Sequence, residues 1–187
     1  MGELTTLFAQ ARGGDGAALG RLYTLLYDEL RRIAHARLRA APGESLLGTT
    51  ALVHESYLRL LKAGALQVGD RPHFLAYAAR AMRSIVVDQA RQRLSGRRGG
   101  DRLHLTLDTL ADVAASRAAS DDEVVRVHEA LDALAAADAR LASVVEMRYF
   151  AGLDDAEIAA ALGLSARTVG RDWAKARLML YAMMKDG

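Results

Sequence analysis

The sequence predicts an all-α protein of two small helical domains joined by a flexible linker. Apolar residues recur at 3–4 spacing through most of the 187 residues, and no segment alternates apolar and polar side chains as a strand does. Proline occurs only twice, and the chain is rich in Ala, Leu and Arg, all strong helix formers. Residues 96–120 replace this period with Gly, Ser and scattered acids, as an interdomain linker does.

The first domain, residues 1–95, reads as four helices. A short one over 3–12 is stopped by Gly13-Gly14. A second runs from about Asp15 to Ala40, with Leu19, Leu22, Tyr23, Leu26, Leu30, Ile33 and Ala34 along its apolar face; Ala41-Pro42-Gly43 ends it. A third starts at Thr49 or Thr50 and runs to Ala63, carrying Leu52, Val53, Tyr57, Leu60 and Leu61, with Gly64 placed as its C′ residue. The fourth runs from Pro72, suited to a first helical position, to about Leu94. Within the linker a short helix over Leu105–Ala115 is the weakest element of the pattern.

The second domain, residues 121–187, is more sharply punctuated. One helix spans about Asp121–Ala136 and another Asp138–Phe150, closed by Ala151-Gly152. Asp154 and Glu157 form a variant capping box, with the acid at the N-cap and Glu at N3. The helix they open carries Ile158, Ala159 and Leu162. Gly163 then turns the chain, Ser165 caps the next helix, and that helix runs from Ala166 to about Met184.

Composition narrows the function. No run of about 18 apolar residues occurs, so no membrane span is expected. The segment MGELTTLFAQAR lacks the basic start and apolar core of a secretory signal. Cysteine is absent, which excludes disulfides, a thiol nucleophile and a Cys-type zinc site, and suits a cytoplasmic protein. His35, His54, His73, His104 and His128 form no ligand-spaced pair, and no glycine cluster leads into a phosphate-binding Lys-Ser/Thr. No catalytic residue, metal or cofactor is expected, and the chain does not read as an enzyme.

Charge is unevenly placed. Between Arg71 and Arg102 there are eight arginines against Asp88 and Asp101; between Asp108 and Glu123 there are five acids against Arg117. A basic block followed by an acidic one suggests a polyanion-binding face and a solvated linker.

Two motifs carry the functional reading. In DAEIAAALGLSARTVGRDWAK, a short helix, a glycine turn and a Ser-capped second helix make a helix-turn-helix, whose second helix enters the major groove. It would present Ser165, Arg167, Thr168, Arg171 and Lys175. Arg167 or Arg171 suits bidentate contact with guanine, worth about 1–3 kcal/mol, and Lys175 suits a phosphate. Asp172 would accept from cytosine or orient an arginine. In PHFLAYAARAMRSIVVDQARQRLSGRR, Arg80, Arg83, Arg91 and Arg93 share a helix with Phe74 and Tyr77, a pattern that holds a backbone and stacks unpaired bases. For Phe74 and Tyr77 a place in the hydrophobic core is an equally good account.

The combination of RTVGRDWAKARLML, ALVHESYLRLL and FLAYAARAMRSIVVDQAR resembles bacterial RNA polymerase sigma factors of the sigma-70 family, extracytoplasmic-function (ECF) group, over nearly the whole chain. The resemblance implies a sigma-2-like first domain and a sigma-4-like second domain. Core polymerase would be held through the β′ clamp, by Thr49, Thr50, His54, Glu55, Leu58 and Arg59, and through the β flap. Residues 74–93 would melt and read the −10 promoter element, and 154–177 would read the −35 element. The two domains are expected to pack only weakly when free, or to be locked by an inhibitor such as an anti-sigma protein.

One departure stands out. Members of this group usually open the clamp-binding helix with Asp and Glu, whereas this chain has Gly48, Thr49, Thr50 and Ala51. A phosphothreonine would restore about −1.5 to −2 charge at a helix N-terminus, where the macrodipole favours it. In this the chain resembles a subgroup regulated by serine/threonine kinases, with Thr50 or Thr49 as the acceptor. The alternatives are that either threonine is only an N-cap, that the chain is a helix-turn-helix regulator without sigma activity, or that it is an inert helical module.

Overall fold

The computed structural model describes residues 2–40, 48–64, 69–96 and 120–186. Among these the protein is all-α, with nine α-helices and no strand: α1 (Glu3–Arg12), α2 (Gly16–Leu25), α3 (Tyr27–Ala40), α4 (Thr49–Lys62), α5 (Arg71–Gly96), α6 (Asp121–Ala137), α7 (Ala139–Val145), a π-helical turn (Glu146–Phe150), α8 (Asp155–Leu162) and α9 (Ala166–Asp186). The fold class is the one the period predicts. Ala41-Pro42-Gly43, His104, the short helix over 105–115 and all of the expected linker but Gly96 and Ser120 lie outside the described residues.

One predicted helix is two. The chain bends at Leu26, which leaves helical geometry at φ −103° and ψ 15° and separates α2 from α3. Neither Gly nor Pro marks the spot. Thr24 Oγ1 donates to Gly20 O at 3.1 Å, a back-bond of the type that bends helices, and Leu26 itself is buried. The bend keeps both Leu22 and Leu30 fully buried.

The other punctuation follows the sequence closely. Gly64 lies at φ 82° beyond α4. Asp70, not Pro72, opens α5: its carboxylate accepts from His73 N at 2.9 Å, which leaves Pro72 inside the first turn. A capping box that the sequence reading passed over, Ser120 with Glu123, starts α6. The Asp154–Glu157 box is present, with Glu157 N donating to Asp154 Oδ1 at 2.8 Å and Asp154 N to Glu157 Oε2 at 3.0 Å. Asp154→Ala is expected to cost about 0.5–2 kcal/mol of stability, read by urea denaturation.

The central element is α5. It packs against α3 and α4 on one side and against α6, the π turn and α8 on another. A helix buried on several sides must be apolar nearly all round, and Ala78, Ala79, Met82, Ile85, Val86, Val87 and Ala90 meet that requirement. Phe74, fully buried, forms edge-to-face pairs with Phe8 and Tyr23 at 5.8 and 5.5 Å. In the second half α9 crosses α6, α7 and α8. The expectation of weak packing between the halves is not met here, because α5 offers each half a buried face and the charges across it are complementary.

Candidate nucleic-acid interface

The helix-turn-helix is α8–turn–α9. Gly163 takes left-handed geometry (φ 64°, ψ 35°), and Leu164 N closes on Ala159 O at 2.8 Å. Ser165 Oγ accepts from Thr168 N at 3.2 Å, so Ser165 is the N-cap of α9. Ile158 and Val169 are fully buried between the two helices. This packing leaves Arg167, Arg171 and Lys175 exposed on one side of α9, with Thr168 half-buried and bonded to Ser165 at 2.9 Å. Arg167 and Arg171 make no ion pair among the described residues.

Lys175 Nζ lies 3.6 Å from Asp138 Oδ2. The Asp138 carboxyl is held below its ordinary range, first by the Leu141 N–H it accepts and then by Lys175. Asp172 faces away from the reading side: it is 2% exposed, with Arg140 Nε 2.9 Å from its carboxylate. It anchors α9 on α7 rather than meeting a base. Arg148, from the π turn, stacks over Trp173 at 5.0 Å and pairs with Asp155 at 2.8 Å, which ties the turn to both helices of the motif.

The basic face of α5 is divided. Tyr77 and Arg80 are exposed, and Phe74 is in the core. Arg83 is only 6% exposed: Nη2 donates to Glu146 Oε1 at 2.7 Å, and Nη1 donates to His128 Nδ1. Arg91 reaches Glu129 at 3.5 Å, and Arg93 holds Asp121 at 2.5 Å. Burial pushes the Glu146 carboxyl up, against the pull of Arg83; burial, then the Arg83 charge, pushes His128 down. The Asp121 hydrogen bonds push the Arg93 guanidinium up. Asp121 is therefore a buried ion-pair partner (7% exposed) and not part of a solvated run. The sequence reading missed Asp121, Glu129, Asp132, Glu146 and Phe150 as partners of this face. Of these only Asp121 lies in the acidic block that the charge pattern singled out.

At the start of α4, Gly48 is the N-cap and makes no side-chain cap. Thr49 and Thr50 are the first two helical residues, so neither is the N-cap; Thr49 is half-buried and Thr50 exposed. No acid stands in this first turn. His54 and Glu55 are exposed and Leu58 is half-buried, while Arg59 is tied to Asp88 at 2.9 Å and to Ser84 Oγ at 2.7 Å. Among the described residues no group of His, Asp and Glu could hold a metal ion, and no helix is long and apolar enough to cross a membrane.

Fold and surfaces together define the class: an all-α helix-turn-helix protein with a second, basic helix at its centre. The chain belongs to the ECF sigma factor family, whose family model matches residues 1–186. It is thus a transcription initiation factor of a non-enzymatic family, with RNA polymerase and promoter DNA as partners. Among solved structures it is similar to CnrH in complex with the cytosolic domain of CnrY, at 24% identity over 97% of each chain and a TM-score of 0.37. No curated protein matches the chain.

Proposed function

We propose that this sigma factor is switched on by phosphorylation at the start of α4. Residues 1–95 form the sigma-2-like unit that docks on the β′ clamp through Thr49, Thr50, His54, Glu55, Leu58 and Arg59. Tyr77, Arg80, Arg83, Arg91 and Arg93 then serve the −10 element. Residues 121–187 form the sigma-4-like unit, which takes the β flap and reads the −35 element with Ser165, Arg167, Thr168, Arg171 and Lys175. Residues 96–120 link the two. A serine/threonine kinase is the activating partner, and an anti-sigma protein is a further candidate partner.

The observation that carries the switch is the acid-free, side-chain-uncapped N-terminus of α4, with an exposed Thr50 as its second residue. A phosphate there meets free backbone N–H groups and the positive end of the helix, and it restores the negative charge that members of the group usually carry at this turn. The test is a titration of core RNA polymerase with unmodified, Thr50-phosphorylated and Thr50→Glu protein. Phosphorylation is expected to tighten binding about 10–100-fold, the equivalent of about one charge-assisted hydrogen bond. Equal affinity of the unmodified and phosphorylated forms would sink the switch and leave the sigma assignment standing.

A further inference from the structure

At the Lys175 end of the reading face, α7 adds a cation that the helix-turn-helix motif does not contain. Arg140, in the first turn of α7, lays one edge of its guanidinium on Asp172: Nε lies 2.9 Å from Oδ2, and Nη2 donates to Oδ1 at 3.4 Å. Nη1 makes no hydrogen bond among the described residues, and the side chain is 52% exposed. Asp172 follows Arg171 directly and precedes Lys175 by three residues, so the Arg140 head lies at the same turn of α9 as these two cations. Two residues before Arg140, the Asp138 carboxylate takes Lys175 at 3.6 Å. The Leu141 N–H, and with it the charges of Lys175 and Arg140, holds the Asp138 carboxyl below its ordinary range, so both cations bear on it.

The two pairs are unlike. A carboxylate as deeply buried as Asp172 needs a cation beside it, and Arg140 meets that need with one edge. A guanidinium is a rigid planar fork of five N–H donors, so fixing Nε and Nη2 also fixes where Nη1 points. Little side-chain freedom is left to lose when an anion meets it. The Lys175–Asp138 pair is longer and more exposed, and a flexible ammonium leaves such a partner readily for a stronger anion. A phosphate is that anion: it accepts from a fixed arginine edge and from a lysine point charge alike.

We propose that Arg140 and Lys175 form a phosphate clamp beside the −35 element, with Asp172 as the positioning residue for Arg140 and Asp138 as the internal anion that the phosphate displaces from Lys175. The proposal rests on the assignment of α9 to the −35 element. It extends the DNA contact beyond the helix-turn-helix to α7, and it makes Asp138 a residue that weakens binding.

The test uses the full chain on core polymerase, phosphorylated at Thr50 where docking requires it, and a duplex that the wild-type holoenzyme selects from a random pool. One phosphate at a time in the duplex is replaced by an uncharged methylphosphonate. Arg140→Gln with Asp172→Asn removes the arginine, leaves no buried charge unpaired and keeps the net charge of the chain. Its affinity is expected to fall about tenfold, and a methylphosphonate that weakens the wild type at the clamped phosphate is expected to leave it unaffected. If this double variant fails to fold, Arg140→Lys, which keeps a cation for Asp172 without the second donor edge, takes its place. Asp138→Asn keeps an N-cap for α7 and is expected to tighten binding about two- to fivefold, a gain that Lys175→Ala abolishes. A methylphosphonate profile unchanged by loss of Arg140 overturns the clamp, as does an Asp138→Asn protein with unaltered affinity or with a gain that persists without Lys175. A wild-type holoenzyme that selects no −35 element overturns the −35 reading itself, whereas a selected element with an unchanged profile overturns the clamp alone.

Discussion

Replacing Phe74 by Ala is expected to cost about 3–5 kcal/mol of folding stability, while replacing Tyr77, one turn further along α5, is expected to leave stability nearly unchanged and weaken promoter opening. The two aromatics have the same standing in the sequence, three residues apart at the head of a basic helix. Their surroundings differ. Phe74 is fully buried and makes edge contacts with Phe8 of α1 and Tyr23 of α2, so truncation opens a cavity where three elements meet. Tyr77 is 37% exposed, and its ring is free to meet an unpaired base. A base–aromatic stack is worth about 1–3 kcal/mol. Urea denaturation of both variants, with permanganate footprinting of a melted promoter, separates the roles. A stable Phe74→Ala protein with a melting defect would return Phe74 to the DNA.

The second large effect falls on the helix-turn-helix. Ile158→Ala is expected to destabilise the second half by about 2–5 kcal/mol and to abolish −35 binding at every sequence, because Ile158 is fully buried where α8 meets α9. Arg167→Ala and Arg171→Ala are expected to stay within about 0.5 kcal/mol in stability, since both side chains are exposed. Each should lose about 1–3 kcal/mol of binding at its own base position, roughly 5–150-fold, with little change elsewhere. Thermal melts beside binding to a set of single-base promoter variants check this. A uniform loss across all variants would make the arginine a phosphate contact.

The local elements were legible because their signals are local. Gly163, Ser165 and the Asp154–Glu157 box fix the turn and the two helix starts through backbone hydrogen bonds within a few residues, and each is where its type and spacing require. Arg167, Arg171 and Lys175 could be placed on one face from the helical period alone. The period also set the all-α fold, and the acid-free start of α4 is plain in the text of the chain.

What the sequence could not decide is what depends on a partner far along the chain. A 3.6-residue period puts Phe74 and Tyr77 on the same broad face of the helix and does not say which of them meets Phe8. The same period cannot tell a solvated arginine from Arg83, whose state depends on Glu146, 63 residues away. Asp172 looks like part of the reading face until Arg140 draws it against α7. The bend at Leu26 and the π turn carry no breaker residue, and each has a residue buried in the core, Leu26 and Phe150. Burial of a charge is costly unless a counter-charge arrives with it, so the fate of each arginine on α5 is set by the tertiary contact and not by its own neighbours.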